Sequence, residues 1–303
     1  MESLKVSERL HTLLYIYNSM KKNYEDDPKS IKYHVKKYLI KNKERINGKT
    51  VVDVPAGNGT ATRTIMDVGG IPLAFDLFPE YFTVEGIECK RANVLDKIPL
   101  ENDSVDFILC QEGIEHFTDQ FKVLKEFNRI LKMNGSLIIT TPNYSNLRAR
   151  MSYFLSESER FNSLMPPNEI DSVWMNKQEV SNEIYFGHIF LIGIQKLRAL
   201  AKLTGFTIKH IQFTRLKSTA CIIFLLTYPF ILLSNYFTYI KNINKEKGYD
   251  RAFQKKVYKE IFLLNINPKI LVDGHLFVEF TKEKNSQEVL NELKSVHKGF
   301  DTT

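Results

Sequence analysis

The chain has 303 residues, 43% of them hydrophobic and 25% charged, with a formal net charge of +7 at pH 7. This length suffices for one large domain or for one domain with a sizeable insertion. The few cysteines show neither a disulfide framework nor a zinc-ligand spacing, and residues 1–10 are too polar for a signal peptide, so we expect a cytoplasmic protein. The positive charge would suit nucleic acid or an anionic membrane, and a solvated lysine-rich surface is the alternative.

Two helices are predicted before the first strand. Apolar residues recur at helical spacing over residues 3–23, and a second, lysine-rich helical pattern covers residues 31–46. We assign residues 1–48 to an N-terminal helical cap, which we expect to cover the ligand of the sheet that follows.

Residues 50–60 carry the strongest functional pattern in the chain. The β-branched apolar run over residues 51–54 is typical of a buried parallel strand. A glycine-containing turn follows, and residues 60–66 are predicted to form a helix that ends at Gly69 and Gly70. A strand, a glycine turn and a helix form the nucleotide-binding opening of a doubly wound sheet, in which ligands bind at the carboxyl ends of the strands.

The turn favours a nucleotide without a pyrophosphate. Only Gly57 and Gly59 are present, whereas a dinucleotide-binding turn has a third glycine. Asp53, near the end of the strand, would repel a pyrophosphate but suits the cationic amino group of S-adenosylmethionine. The predicted cofactor contacts in this segment are Asp53, Pro55, Ala56, Gly57, Asn58 and Gly59.

Polar residues also follow the next predicted strands. Residues 71–75 are predicted to form the second strand, and Asp76 follows about 20 residues beyond the glycine turn, where a carboxylate accepts hydrogen bonds from a ribose diol. A short third strand covers residues 87–91. The fourth strand, residues 105–110, ends in the polar segment 111–117 at the sheet edge where ligands are expected.

A helix over residues 119–133, capped by Asn134 and Gly135, and a fifth strand over residues 136–141 complete this half of the sheet. Several short motifs follow one another along this part of the chain. They are Asp53-x-Pro-x-Gly-x-Gly, Asp76, Asn93, the Asp106-Phe107 strand, Glu115-His116, Arg129-Ile130-Leu131-Lys132-x-x-Gly135 and Thr141-Pro142-Asn143.

Over residues 50–143 this set resembles the class I S-adenosylmethionine-dependent methyltransferases. Pro55 replaces the first glycine of the family's first motif. The position of Asn93 often carries an Asp in the family, which accepts a hydrogen bond from the adenine amino group, and the amide oxygen of Asn93 can also accept. The resemblance implies S-adenosylmethionine as cofactor, with further predicted contacts at Leu77, Val94 and Gln111.

The resemblance also implies the fold, an α/β, doubly wound, mostly parallel seven-stranded sheet with a C-terminal antiparallel hairpin. We predict the hairpin strands over residues 206–213 and 274–281. The methyltransferase core is then assigned to residues 49–143, 188–213 and 274–282. Residues 144–187 form a substrate lid, residues 214–273 a hydrophobic and basic insertion, and residues 283–303 a tail.

The insertion contains an unusual apolar segment over residues 220–240. Its uninterrupted core of about 14 residues is shorter than the ~20 that a membrane-spanning helix needs, and Pro229 is expected to kink or end a helix. Aromatic margins and flanking lysines favour peripheral contact at the inner face of the membrane. A buried helical hairpin and a homodimer surface remain open as alternatives.

The candidate catalytic residues are Glu112, His116 and His188. An oxygen acceptor needs its proton removed, and imidazole titrates near neutral pH. For His116 we favour a structural role, whereas His188 would approach from the lid and Glu112 would orient the acceptor. The sequence spacing suggests no metal site.

The first hypothesis is O-methylation of a saccharide or lipid-linked glycan precursor at the membrane. The alternatives are a soluble methyltransferase for a small metabolite, with residues 220–240 buried in a homodimer, and a non-catalytic cofactor-binding scaffold in a biosynthetic complex. Nucleic acid is not expected as a partner, because basic and aromatic residues do not interleave.

Overall fold

A computed structural model of the chain describes residues 24–158, 164–174 and 184–297. The helix predicted over residues 3–23 therefore lies outside the described residues. The described helices are α1 (Ile31–Lys41), α2 (Lys43–Ile46), α3 (Thr60–Asp67), α4 (Gln120–Ile130), α5 (Leu147–Ser156), α6 (Ile194–Leu203), α7 (Ser218–Asn244), α8 (Arg251–Asn265), α9 (Pro268–Val272) and α10 (Ser286–Ser295). The described strands are β1 (Thr50–Asp53), β2 (Ile71–Asp76), β3 (Cys89–Arg91), β4 (Val105–Gln111), β5 (Leu131–Pro142), β6 (Val173–Trp174), β7 (Tyr185–Phe186), β8 (Phe206–Ile211) and β9 (His275–Lys282).

Seven strands form one sheet in the order β3-β2-β1-β4-β5-β9-β8. Strands β1 to β5 pair in parallel, whereas β9 is antiparallel to both β5 and β8. The predicted doubly wound sheet with a C-terminal antiparallel hairpin is therefore confirmed. Because the parallel strands end at one edge, the segments that follow β1, β2 and β4 lie side by side there.

The two faces of the sheet bury alternate residues of each strand. Val51 and Phe107 pack under α1 and α3 on one face, and Val52 and Ile108 pack in the larger cluster under α4 and α6 on the other. This alternation explains why the strands read as continuous apolar runs, since a parallel sheet covered on both faces has no solvated side.

The predicted end of α4 at Asn134 and Gly135 is wrong. The helix ends at Ile130, and β5 begins at Leu131, which pairs with Val105 of β4. The ammonium group of Lys282 takes over the capping role, because it donates to the carbonyl oxygens of Asn128 at 2.7 Å and Leu131 at 2.8 Å. Lys282 is fully buried and comes from β9, so this cap was not visible in the local sequence.

The apolar helix is longer than predicted, because it does not end at Pro229. α7 is one helix of 27 residues that contains Pro229. By length and composition alone it is the one helix in the described part of the chain that is long and apolar enough to cross a membrane. α8 runs back along it, since Tyr228 donates to the carbonyl of Ile266 and Gln254 donates to that of Asn242.

Candidate functional site

A cavity of about 570 Å³ lies where β1, β2 and β4 end. Its wall combines the four segments that follow β1, β2, β3 and β4 with lid residues in and around β6 and β7. The sequence-predicted residues in the wall are Pro55, Asp76, Leu77, Asn93, Val94, His116 and His188. The topology therefore brings together residues that the sequence places on five separate segments.

The turn after β1 is held against the neighbouring strand β2. The Val54–Pro55 peptide bond is cis, and the Ala56 N–H donates to the carbonyl of Phe75 at 2.9 Å. Gly57 has a φ of +53° and would carry a Cβ into open space, whereas a Cβ on Gly59 would lie 2.4 Å from Val84. Gly57 thus leaves room beside the turn, and Gly59 allows close packing. Of the predicted contacts in this turn only Pro55 lies in the described cavity wall, and Ala56, Gly57, Asn58 and Gly59 lie outside it.

The carboxylate of Asp76 joins the turn to the end of β2. Its Oδ2 accepts from the Gly57 N–H and its Oδ1 from the Phe78 N–H, each at 2.8 Å. A carboxylate oxygen accepts two hydrogen bonds, so each oxygen keeps a lone pair for a ribose hydroxyl. Asp76 is therefore both fixed in position and still able to bind a diol.

Asn93 and Val94 border the same cavity after β3. The Oδ1 of Asn93 accepts from the Leu95 N–H at 3.0 Å, which fixes the side chain in a local turn. Val94 is 6% exposed and presents an apolar surface next to Leu77 in the cavity wall. This end of the cavity can therefore pack against a flat heterocycle and hydrogen-bond its edge.

Asp53 lies outside the described cavity wall. It is 1% exposed, and its Oδ2 accepts from the Thr62 hydroxyl at 2.6 Å. Burial raises the pKa of the Asp53 carboxyl to about 7. Its contact with the cofactor remains a prediction, and the structure instead places it between β1 and α3.

Gln111 and Glu112 also lie outside the described cavity wall, on the side of β5. Glu112 has a φ of +49°, its Oε1 accepts from the Thr140 hydroxyl at 3.1 Å, and its Oε2 is 3.6 Å from Nε2 of His275. Burial and the Glu115 carboxylate raise the pKa of Glu112. Burial lowers the pKa of His275 to about 4. The carboxyl of Glu112 is therefore able to hold or accept a proton near neutral pH.

The lid contacts the sheet edge through aromatic rings and one histidine. Phe78 meets Tyr185 edge-on with ring centroids 4.9 Å apart, and the rings of His116 and His188 have centroids 5.1 Å apart. Nδ1 of His116 lies 3.0 Å from the carbonyl oxygen of Phe186. The structure thus places the two predicted histidines together at the cavity.

Sequence reasoning missed several residues of this site. A Cβ on Gly113 would lie 2.4 Å from the Pro55 ring, so only glycine fits beside that proline. The sequence analysis did not predict Phe78 and Tyr185 as site residues, because the sequence does not distinguish an aromatic residue that lines a site from one that packs in the core. Glu115 belongs to one of the sequence motifs, but the sequence did not predict its complete burial.

The family comparison agrees with this geometry. Residues 52–139 match the family described as "Methyltransferase domain". Residues 52–139 are therefore a methyltransferase domain, and the class I S-adenosylmethionine-dependent methyltransferases are the family that these matches support.

Relatives of this methyltransferase are distant. A methyltransferase-like protein of Schizosaccharomyces pombe is 32% identical over 93 residues, which cover 29% of this chain and 36% of that protein. The ubiquinone biosynthesis O-methyltransferase of Xanthomonas oryzae pv. oryzae is 24% identical over 161 residues, 47% of this chain and 67% of that protein. A solved S-adenosylmethionine-dependent methyltransferase from Archaeoglobus fulgidus superposes with a TM-score of 0.49 at 12% identity, over 88% of this chain and 99% of that one.

The residues of the cavity fit the cofactor of the family, S-adenosylmethionine. The Asp76 carboxylate would hold the ribose diol, and Asn93 with Val94 and Leu77 would hold the adenine. The open space over Gly57 leaves room for the amino acid part of the cofactor. When bound, the cofactor supplies an electrophilic methyl group on a sulfonium centre, and the protein's part is to position the acceptor and manage its proton.

Proposed function

We propose that this methyltransferase methylates an oxygen atom of a saccharide carried by a membrane lipid, while bound at the inner face of the membrane. The observation that carries the proposal is the exposed apolar face of α7. A contiguous apolar surface of this kind marks a site of contact with a membrane or another protein.

Exposed apolar side chains recur at helical spacing on the side of α7 away from α8, and together they form what we call the α7 apolar face. Leu225 is 77% exposed and Phe230 72% exposed. The face is made of Ile222, Leu225, Leu226, Phe230, Leu233 and Phe237. The opposite side packs on the domain through residues such as Phe224 and Tyr228, so the exposed side has a fixed orientation.

The position of α8 favours a helix that lies in the membrane plane. α8 runs antiparallel beside α7 and carries exposed lysines at positions 255, 256 and 259. If α7 crossed the bilayer, these ammonium groups would enter the hydrocarbon at a cost of several kcal/mol. With α7 in the plane of the membrane, these ammonium groups stay on the aqueous side instead.

The cavity wall supports an acceptor with both apolar faces and hydroxyls. Phe117, Tyr185 and Phe186 offer aromatic surface, and Asp171 and Thr118 offer polar groups. Aromatic walls with a few polar groups are typical of sites that hold a ring in one orientation. The Xanthomonas relative is an O-methyltransferase, which supports oxygen as the accepting atom.

Vesicle flotation tests the membrane part of the proposal. We expect the full chain to float with vesicles that contain an anionic phospholipid, and the double variant Leu225→Asp, Phe230→Asp to stay in the soluble fraction. Ile40→Asp is the matched control, because Ile40 is 54% exposed on α1, outside the α7 apolar face. Equal recovery of both variants with the vesicles, or of the parent protein in the soluble fraction, would contradict membrane contact.

Light scattering in the same buffers separates the homodimer alternative. A parent protein that is dimeric in solution and becomes monomeric in the double variant would show that the α7 apolar face contacts a second copy, and it would overturn the membrane proposal.

Mass spectrometry of cell-envelope glycans tests the acceptor. Deletion of the gene should remove the mass of one CH₂ group from a lipid-linked saccharide, and the gene for the parent protein should restore it. An unchanged glycan profile together with a missing methyl group on a water-soluble metabolite would favour the soluble alternative.

A further inference from the structure

Glu115, His116 and His188 form a compact group of potential metal ligands. One carboxylate oxygen and one ring nitrogen of each histidine all lie within 4.8 Å of one another. Glu115 and His116 come from the short 3-10 turn Ile114–His116 after β4, whereas His188 follows β7 in the lid. The group therefore joins the lid to the sheet edge.

The buried carboxylate of Glu115 has an oxygen that the described residues do not satisfy. Its side chain is 0% exposed, and its Oε2 accepts from the Thr141 hydroxyl at 2.9 Å. Its Oε1 is buried and has no hydrogen-bond partner among the residues that the structure describes. A buried polar atom without a partner is costly, and a cation beside it would remove that cost.

The orientation of His116 is the one that metal-binding histidines usually have. Its Nδ1 lies 3.0 Å from the carbonyl oxygen of Phe186 and 3.1 Å from that of Gly187. A carbonyl oxygen only accepts, so Nδ1 must carry the proton and Nε2 carries a lone pair. A ring nitrogen that donates to a backbone carbonyl fixes the tautomer and orients the other nitrogen toward a metal.

We propose that Glu115, His116 and His188 bind one divalent transition-metal ion, such as Zn²⁺ or Mn²⁺, which fastens the lid to the sheet edge. Two imidazoles and one carboxylate are a donor set that these ions accept, and three protein ligands leave further coordination positions open. His116 and His188 both belong to the cavity wall, so the open positions are available to oxygen atoms of an acceptor.

This inference goes beyond the proposed function, because the ion is bound whether or not a saccharide is the acceptor. It also explains why the sequence spacing suggested no metal site. His116 and His188 stand in separate segments, and only the fold of the lid brings them together.

The test measures metal binding without any acceptor or methyl transfer. The full chain is stripped with a chelator and titrated with Co²⁺, whose visible absorption reports its ligands, and Zn²⁺ is then added in competition. We expect one ion per chain. His188→Ala and Glu115→Gln should weaken binding by at least about 10- to 100-fold, the range that even outer partners of metal ligands contribute.

His210→Ala is the matched control, since His210 is an exposed histidine of β8 away from the cavity. It should bind the ion as the parent does, and circular dichroism should show that all variants are folded. A second readout is hydrogen exchange, in which the amides of residues 184–190 should slow when the ion is added to the parent protein and not to His188→Ala.

Three outcomes would overturn the proposal. They are a parent protein that binds neither Co²⁺ nor Zn²⁺ after stripping, a folded His188→Ala that binds as tightly as the parent, and an equal loss of binding in His210→Ala.

Discussion

At the scale of single residues, Asp76 both holds the backbone around the cavity and offers acceptors to a ligand. Its oxygens accept hydrogen bonds from the backbone N–H groups of Gly57 and Phe78. Their remaining lone pairs are available to a ligand in the cavity. Asp53 has the opposite character, since its carboxylate is buried against Thr62. Two acids that look alike in the sequence thus give different predictions.

Asp76→Ala should weaken S-adenosylmethionine binding by about 10- to 100-fold, because hydrogen bonds to a charged group contribute roughly 1.5–3 kcal/mol. Isothermal titration calorimetry measures the effect. Asp96→Ala is the control, since Asp96 is exposed and outside the cavity wall. Equal affinities in the two variants would remove Asp76 from the cofactor site.

The buried placement of Asp53 gives an expectation opposite to the contact predicted from the sequence: Asp53→Asn should leave S-adenosylmethionine affinity within about threefold of the parent, or ~0.7 kcal/mol. The folded pKa of Asp53, about 7, lies above its ordinary value of 3.8, so the folded state binds this proton more tightly than the unfolded state. The parent should therefore lose stability as the pH rises from about 4 through about 7, and the variant should lose less. Urea unfolding at about pH 5 and about pH 8 checks this, and identical pH dependence would contradict the buried placement.

At the scale of elements, the carboxylate of Glu279 ties β9 to three neighbours. It accepts from the Tyr38 hydroxyl of α1 and the Arg45 guanidinium of α2, each at 2.7 Å, and from Ser136 of β5 at 3.0 Å. Despite its burial, hydrogen bonds from Arg45 and Tyr38 hold the pKa of Glu279 down at about 2. This network fastens the N-terminal helices to the C-terminal hairpin.

Glu279→Gln should lower the free energy of unfolding by about 2–3 kcal/mol at neutral pH, because charged hydrogen bonds are lost in a buried place. The pKa of Glu279 is lower in the folded state than its ordinary value of 4.5, so its ionised carboxylate stabilises the fold at pH values above about 4.5. This contribution is lost as the pH falls toward about 2. The difference between parent and variant should shrink over that window. Glu283→Gln, at an exposed position just after β9, should change stability by less than about 0.5 kcal/mol.

A difference of similar size at position 283, or one that does not depend on pH at position 279, would contradict this account of the network.

At the scale of the whole molecule, the membrane proposal depends on two features, the net charge of +7 and the α7 apolar face. Lys241 lies in the last turn of α7, and α8 adds further exposed lysines. Electrostatic attraction to headgroups is screened within a Debye length, whereas burial of apolar side chains is not weakened by salt. The proposed membrane binding therefore has an electrostatic and an apolar contribution, and only the electrostatic one weakens as the salt concentration rises.

Binding to vesicles with anionic lipid should weaken as the salt concentration rises from about 0.05 M to about 0.5 M, and a remainder should persist. The double variant Leu225→Asp, Phe230→Asp should show no such remainder in flotation at high salt. Binding that salt abolishes completely would assign the contact to charge alone.

The sequence was most informative where local pattern decides structure. The run over residues 51–54, the turn at Gly57 and the acid at position 76 predicted the parallel sheet and its cofactor edge, because strand burial and turn chemistry are local. The end of α4 at Ile130 was missed, since its cap is the distant ammonium of Lys282. The meeting of His116 and His188 was missed for the same reason, as it depends on the fold of the lid.

The buried ammonium of Lys282 also has a consequence for synthesis of the chain. It reaches Asp103 at 2.7 Å as well as the two carbonyls at the junction of α4 and β5, and it arrives only after the long excursion through α7. A nascent chain that has just emerged through residue 213 carries every residue of the turn after β1 but leaves β5 without β9, its neighbour on one side. Such an intermediate exposes an open strand edge, which is prone to pair with other chains until β9 is made.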